Sequence, residues 1–97
     1  MLPVIYTPIS ERYLKKLKDK KLKDLFRNVI MGIREDPSLG DAKTGDLKGV
    51  YSVDIFYNRK NYELAYSLSK LKNEEVVVII MAGTRQNFYE ELKRYIK

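Results

Sequence analysis

The chain contains no cysteine and no histidine among its 97 residues. Without cysteine there is no disulfide framework and no thiol redox control. Without histidine, the side chain that titrates nearest neutrality and the commonest metal ligand are both missing. Zinc sites built on His or Cys are therefore excluded. Acid–base chemistry falls to Asp, Glu, Lys, Arg or Tyr. No apolar run reaches the roughly 18 residues that a membrane span needs. The N-terminal MLPVIYTPIS places no charged region ahead of its apolar residues, unlike a secretory signal. The expectation is one cytoplasmic domain over residues 1–97.

What is present is charge of one sign. Nineteen Lys and Arg against thirteen Asp and Glu give a net charge of +6. Such a balance fits an anionic partner such as RNA, DNA or an acidic protein. The hydrophobic fraction of 44% is that of an ordinary soluble domain with one modest core.

The periodicities predict an α+β fold. Pro3 to Thr7 reads as a short strand, and Thr7 or Ser10 as the cap of a helix running to about Lys18. Leu22, Leu25, Phe26, Val29, Ile30 and Ile33 mark a second helix, Lys21 to Glu35, stopped by Asp36-Pro37. The two form a helix hairpin. Its basic residues, among them Arg12, Lys15, Lys16, Lys23 and Arg27, are either a phosphate-contacting face or a solvated surface. Ser38 to Lys48 is the main loop.

Three strands follow: Gly49 to Tyr57, Tyr62 to Leu68 and the continuous apolar run Val76 to Ala82. The sheet is expected to be antiparallel, of about four strands counting the N-terminal one, with the hairpin packed on one face. Tyr51, Val53, Ile55 and Tyr57 share the core side with Tyr62, Leu64, Tyr66 and Leu68. Ser52, Asp54, Glu63 and Ser67 lie on the other, at least partly open face. Asn87 to Ile96 is a final short helix, with Asn87 and Glu90 resembling a capping box.

In this order lie Leu47, Gly49 and Tyr51 at the entry to the second strand, and Gly83, Arg85 and Tyr89 after the last. With that arrangement the whole chain resembles the RelE/ParE superfamily of type II toxin–antitoxin toxins. The resemblance implies a compact toxin neutralised by a small antitoxin, without cofactor or metal, and reaching operator DNA only through the antitoxin complex. RelE-like members act at the ribosome on mRNA: the ribose 2′-hydroxyl attacks the adjacent phosphate, leaving a cyclic phosphate and a free 5′-hydroxyl. ParE-like members inhibit DNA gyrase instead. A member that has lost activity and survives as an antitoxin-binding partner is a third possibility.

Carried onto this chain, the resemblance makes Arg85 the cation that stabilises the phosphorane, and Tyr89 the residue that stacks on a base or assists proton transfer. Where RelE-type nucleases project two lysines and an arginine, this chain has Ser52, Asp54 and Glu63. Asp54 and Glu63 with Arg85 are then either a carboxylate base beside an arginine stabiliser or an ion-pair network that fixes Arg85. Tyr89 either serves the reaction or seats the final helix. Lys43, Lys48, Arg59 and Lys60, in the surrounding loops, are the candidates to replace the missing cations at the RNA.

Overall fold

A computed structural model describes every residue from Met1 to Lys97. β1 (Val4–Tyr6) leads into α1 (Pro8–Lys16) and α2 (Lys20–Glu35). β2 (Asp41–Ala42), β3 (Val50–Tyr57), β4 (Lys60–Leu71) and β5 (Glu74–Thr84) follow, and α3 (Phe88–Ile96) ends the chain. The sheet order is β1-β5-β4-β3-β2. No helix is long and apolar enough to cross a membrane.

Side-chain chemistry sets the helix starts. The Thr7 hydroxyl accepts the Ser10 N–H at 3.2 Å, and Pro8 occupies the first turn, where its missing N–H costs nothing. α1 stops at Lys16 rather than Lys18, because Leu17 is already extended (ψ 122°). The break at Asp19 is itself the next cap: its carboxylate accepts from the Lys21 and Leu22 amides. The same carboxylate accepts the Tyr57 hydroxyl at 2.9 Å, tying the start of α2 to the end of β3.

The sheet has five strands, not about four, and β1 joins it in parallel, pairing with β5. The extra strand lies inside the expected loop, where Asp41 and Ala42 pair with Ser52 and Tyr51. The Tyr66 hydroxyl holds this loop down, donating to the Pro37 carbonyl at 2.8 Å and accepting from the Gly40 amide at 2.9 Å. The turns are shorter than the sequence implied. Asn58-Arg59 and Lys72-Asn73 all have φ between 51° and 68°, the paired left-handed conformation of two-residue hairpins. That geometry matches strand twist, so β4 extends well past Leu68.

Hydrophobic burial occupies both faces of the sheet. On one, Leu22, Phe26, Ile30 and Ile33 of α2 pack on Ile55, Leu64, Tyr66, Val77 and Ile79. The other face was expected to be at least partly open; α3 covers the part around Ser52, Glu63 and Ala65, while Asp54 and Phe56 stay exposed. Phe88 and Leu92 are fully buried against Leu47, Val50, Ala65, Ile80 and Met81. Each such side chain contributes about 1.5–3 kcal/mol of burial. The expected capping box does not form: Asn87 is left-handed (φ 59°) and its side chain makes no cap bond. Packing therefore places α3.

One irregularity in β5 matters for everything beyond it. Ala65 pairs with Met81 but Tyr66 with Ile79, so Ile80 is an extra, bulged residue. Ile80 and Met81 consecutively face α3, and the in–out alternation of the strand reverses. Two side chains from the start of α1 support the bulge. The Thr7 hydroxyl donates to the Ile80 carbonyl at 2.6 Å, and the Ser10 hydroxyl donates to the Ile79 carbonyl at 2.8 Å.

Candidate functional site

The reversed alternation decides the site. With an ordinary strand, Arg85 would point to the α1–α2 side. With the bulge, Met81, Gly83 and Arg85 share a face with Ala65, Glu63 and Asn61 of β4 and with Ser52, Asp54 and Phe56 of β3. The Arg85 amide continues the pairing, donating to the Asn61 carbonyl at 2.9 Å.

Glu63 is the centre. It was expected on a surface strand, yet it is only 1% exposed. α3 causes this, because Tyr89 in its first turn lies over β3 and β4. The Tyr89 hydroxyl donates to Glu63 Oε1 at 2.6 Å, and lies 3.1 Å from the Ser52 hydroxyl, itself 2% exposed. Arg85 Nε is 4.0 Å from Glu63 Oε2. Oε2 is buried and has no hydrogen-bond partner.

The electrostatics follow from this burial. Desolvation first, then the neighbouring Asp54 carboxyl on the paired strand, push the Glu63 carboxyl up from an ordinary 4.5 to about 7. The Tyr89 hydrogen bond and the Arg85 charge pull the other way and do not offset it. Tyr89 is pushed up to about 12, by burial and then by its bond to Glu63. Glu63 therefore holds its proton much closer to neutrality than an ordinary carboxyl does.

Arg85, Tyr89, Glu63 and Asp54 are thus brought together. Of the loop cations, Lys43 joins them: its Nζ stands 5.1 Å from the centroid of the Tyr89 ring, a cation–π contact. Arg59 and Lys60 are exposed at the β3–β4 turn, beyond Phe56 and Asn61. Lys48 is exposed just before β3. These three make no hydrogen bond or ion pair with the cluster. Sequence reasoning passed over Phe56, which is 70% exposed on the site face. Its signal was available, because strict alternation in β3 places a large aromatic on the polar side with Ser52 and Asp54.

The domain is α+β, its mixed sheet covered by α2 on one face and by α3, over the titratable cluster, on the other. A family model described as the ParE-like toxin of type II bacterial toxin–antitoxin systems matches residues 4–93. The chain belongs to that family of toxins. Solved structures carry the same fold. A YoeB/ParE toxin from Agrobacterium tumefaciens aligns with a TM-score of 0.72 at 17% identity, covering 87% of this chain and 99% of the other. The isolated E. coli RelE toxin aligns at 0.68 and 19%, covering 100% of both chains. The intact E. coli RelBE toxin–antitoxin complex aligns at 0.66 and 18%, covering 86% of this chain and 95% of the other. No curated protein matches by sequence.

Proposed function

We propose that this toxin is a ribosome-dependent mRNA endonuclease. The observation that carries the reading is the buried Glu63 carboxyl, bonded to the Tyr89 hydroxyl and 4.0 Å from the Arg85 guanidinium. In the proposed reaction the exposed Asp54 carboxylate takes the proton of the ribose 2′-hydroxyl. The 2′-oxygen bonds to the adjacent phosphorus, and the bond from phosphorus to the 5′-oxygen breaks. The Arg85 guanidinium stabilises the charge that builds on the phosphorane. The departing 5′-oxygen takes its proton from the Tyr89 hydroxyl, which turns away from Glu63 Oε1, and the protonated form of Glu63, 2.6 Å away, then donates a proton to the phenolate. Lys43, Lys48, Arg59 and Lys60 hold the RNA backbone.

Expression without antitoxin tests this, with Arg85→Ala alongside. Growth arrest together with mRNA cut at ribosomes is expected for the wild type, and loss of both for the variant. Arrest with uncut mRNA rules the nuclease out. One observation favours the alternative, a gyrase inhibitor without nuclease activity. The site faces of β3 and β4 (Ser52, Asp54, Phe56, Asn61, Glu63, Ala65) carry no cation. Inhibition of supercoiling by micromolar protein, with mRNA intact, would establish that alternative.

The partner is an antitoxin, as in the RelBE complex. An antitoxin that occludes the site either covers the exposed Asp54, Phe56 and Arg85 or displaces α3 from Glu63. A groove of about 460 Å³ between α1 and α2 offers a second foothold. Leu14, Ile30 and Met31 line it, with Lys15, Lys23 and Arg27 at the rim, a surface suited to an acidic amphipathic helix.

A further inference from the structure

Phe56 is the most exposed aromatic side chain of the protein, at 70%. It stands on β3 two positions after Asp54, on the same face, opposite Asn61 of β4. The carbonyl of Asn61 holds the Arg85 amide. Phe56, Asn61 and Arg85 therefore form one row across three strands. Two strand spacings separate the ring from the guanidinium's strand, about 10 Å, a distance that one or two nucleotides bridge. Arg59 follows in the exposed β3–β4 turn, while Lys60, opposite Tyr57, belongs to the other face of the sheet.

The other aromatic at the site is not free to stack. Tyr89 has Lys43 against one face of its ring, and the Phe88 ring meets it edge-on at 5.3 Å. Its hydroxyl bond to Glu63 Oε1 fixes the orientation of the ring. The remaining exposed aromatics, Tyr6 and Tyr95, lie on β1 and late in α3, away from this row.

We propose that Phe56 is a stacking platform for an unpaired nucleobase of the RNA next to the phosphate that Arg85 binds. The proposal rests on the nuclease reading. An aromatic face binds any base, and a purine better than a pyrimidine, because the stacking area is larger. Phe56 thereby sets the position of the strand, and it gives the toxin a purine preference at that nucleotide without hydrogen-bond readout.

The test uses ribosomes programmed with an mRNA whose A-site codon is 2′-O-methylated, to block cleavage, and carries one 2-aminopurine. Wild-type toxin should quench the fluorescence. Phe56→Trp should quench as well or better. Phe56→Ala should bind roughly 5- to 150-fold more weakly, as expected for one lost base–aromatic stack. Phe56→Leu, which keeps apolar area but no π face, should resemble Phe56→Ala. Because Phe56 is exposed, all three variants should unfold at the wild-type temperature. On unmodified mRNA, Phe56→Ala should also lose the purine preference. If wild type cleaves mRNA but Phe56→Ala or Phe56→Leu binds and selects as wild type does, the stacking role is wrong and the nuclease reading stands. If wild type neither quenches nor cleaves, both are wrong.

Discussion

Substituting Glu63→Gln should change how stability depends on pH, by an amount that the structure sets. Below about pH 4.5 the glutamate is protonated whether folded or unfolded. Between 4.5 and about 7 the folded chain keeps this proton while the unfolded chain gives it up. Stability therefore falls as pH rises through that window, and levels off above it. At 1.36 kcal/mol per pH unit, the loss is on the order of 3 kcal/mol. Glutamine keeps the shape and never ionises. The difference between variant and wild type should then grow in the variant's favour from pH 5 to pH 8. With a urea m-value of about 1.5 kcal/mol/M, this shifts the midpoint by roughly 2 M. Urea unfolding followed by circular dichroism at several pH values measures it directly. The chain has no histidine, so no other side chain with an ordinary pKa titrates in the middle of the window. A difference between the two proteins that stays constant within about 0.5 kcal/mol from pH 5 to pH 8 would refute the argument. It would mean that water or Arg85 already solvates the buried carboxylate.

Leu92→Ala, in a fully buried side chain of α3, should cost about 2–5 kcal/mol and loosen α3. Faster hydrogen exchange in α3 and a wild-type-like α2 would confirm that the two faces of the sheet hold separate cores. Gly40→Ala should also destabilise, by about 1–3 kcal/mol. A Cβ there would stand 2.8 Å from the Tyr66 ring and 2.9 Å from the Ser52 carbonyl, neither of which can yield without moving the loop. Thermal unfolding would show it, and an unchanged Tm would mean that the loop is not pinned by Tyr66.

Much of the fold was legible because its signals are local. α2 follows from a helical stripe, and β3 and β4 from alternation with turn residues between them. Arg85 at the end of the last strand also followed from order along the chain. The capping box failed because α3 is set by Phe88 and Leu92 in a core whose other members lie far away in sequence. For the same reason Glu63 read as a surface residue. Its strand neighbours Ala65 and Tyr62 say nothing about a helix that arrives twenty-five residues later.

Apart from β2, the elements were legible along the chain, as were the net positive charge and the residue types available for chemistry. Tertiary structure alone decided which of them meet. Strand alternation carries no mark of the bulge at Ile80, since any residue of the run Val76 to Ala82 suits either face. Hydrogen bonds from Thr7 and Ser10, at the opposite end of the chain, hold the bulge in place. It turns Arg85 from the α1–α2 side toward Glu63. Burial beneath Tyr89 then moves the Glu63 proton into the neutral range.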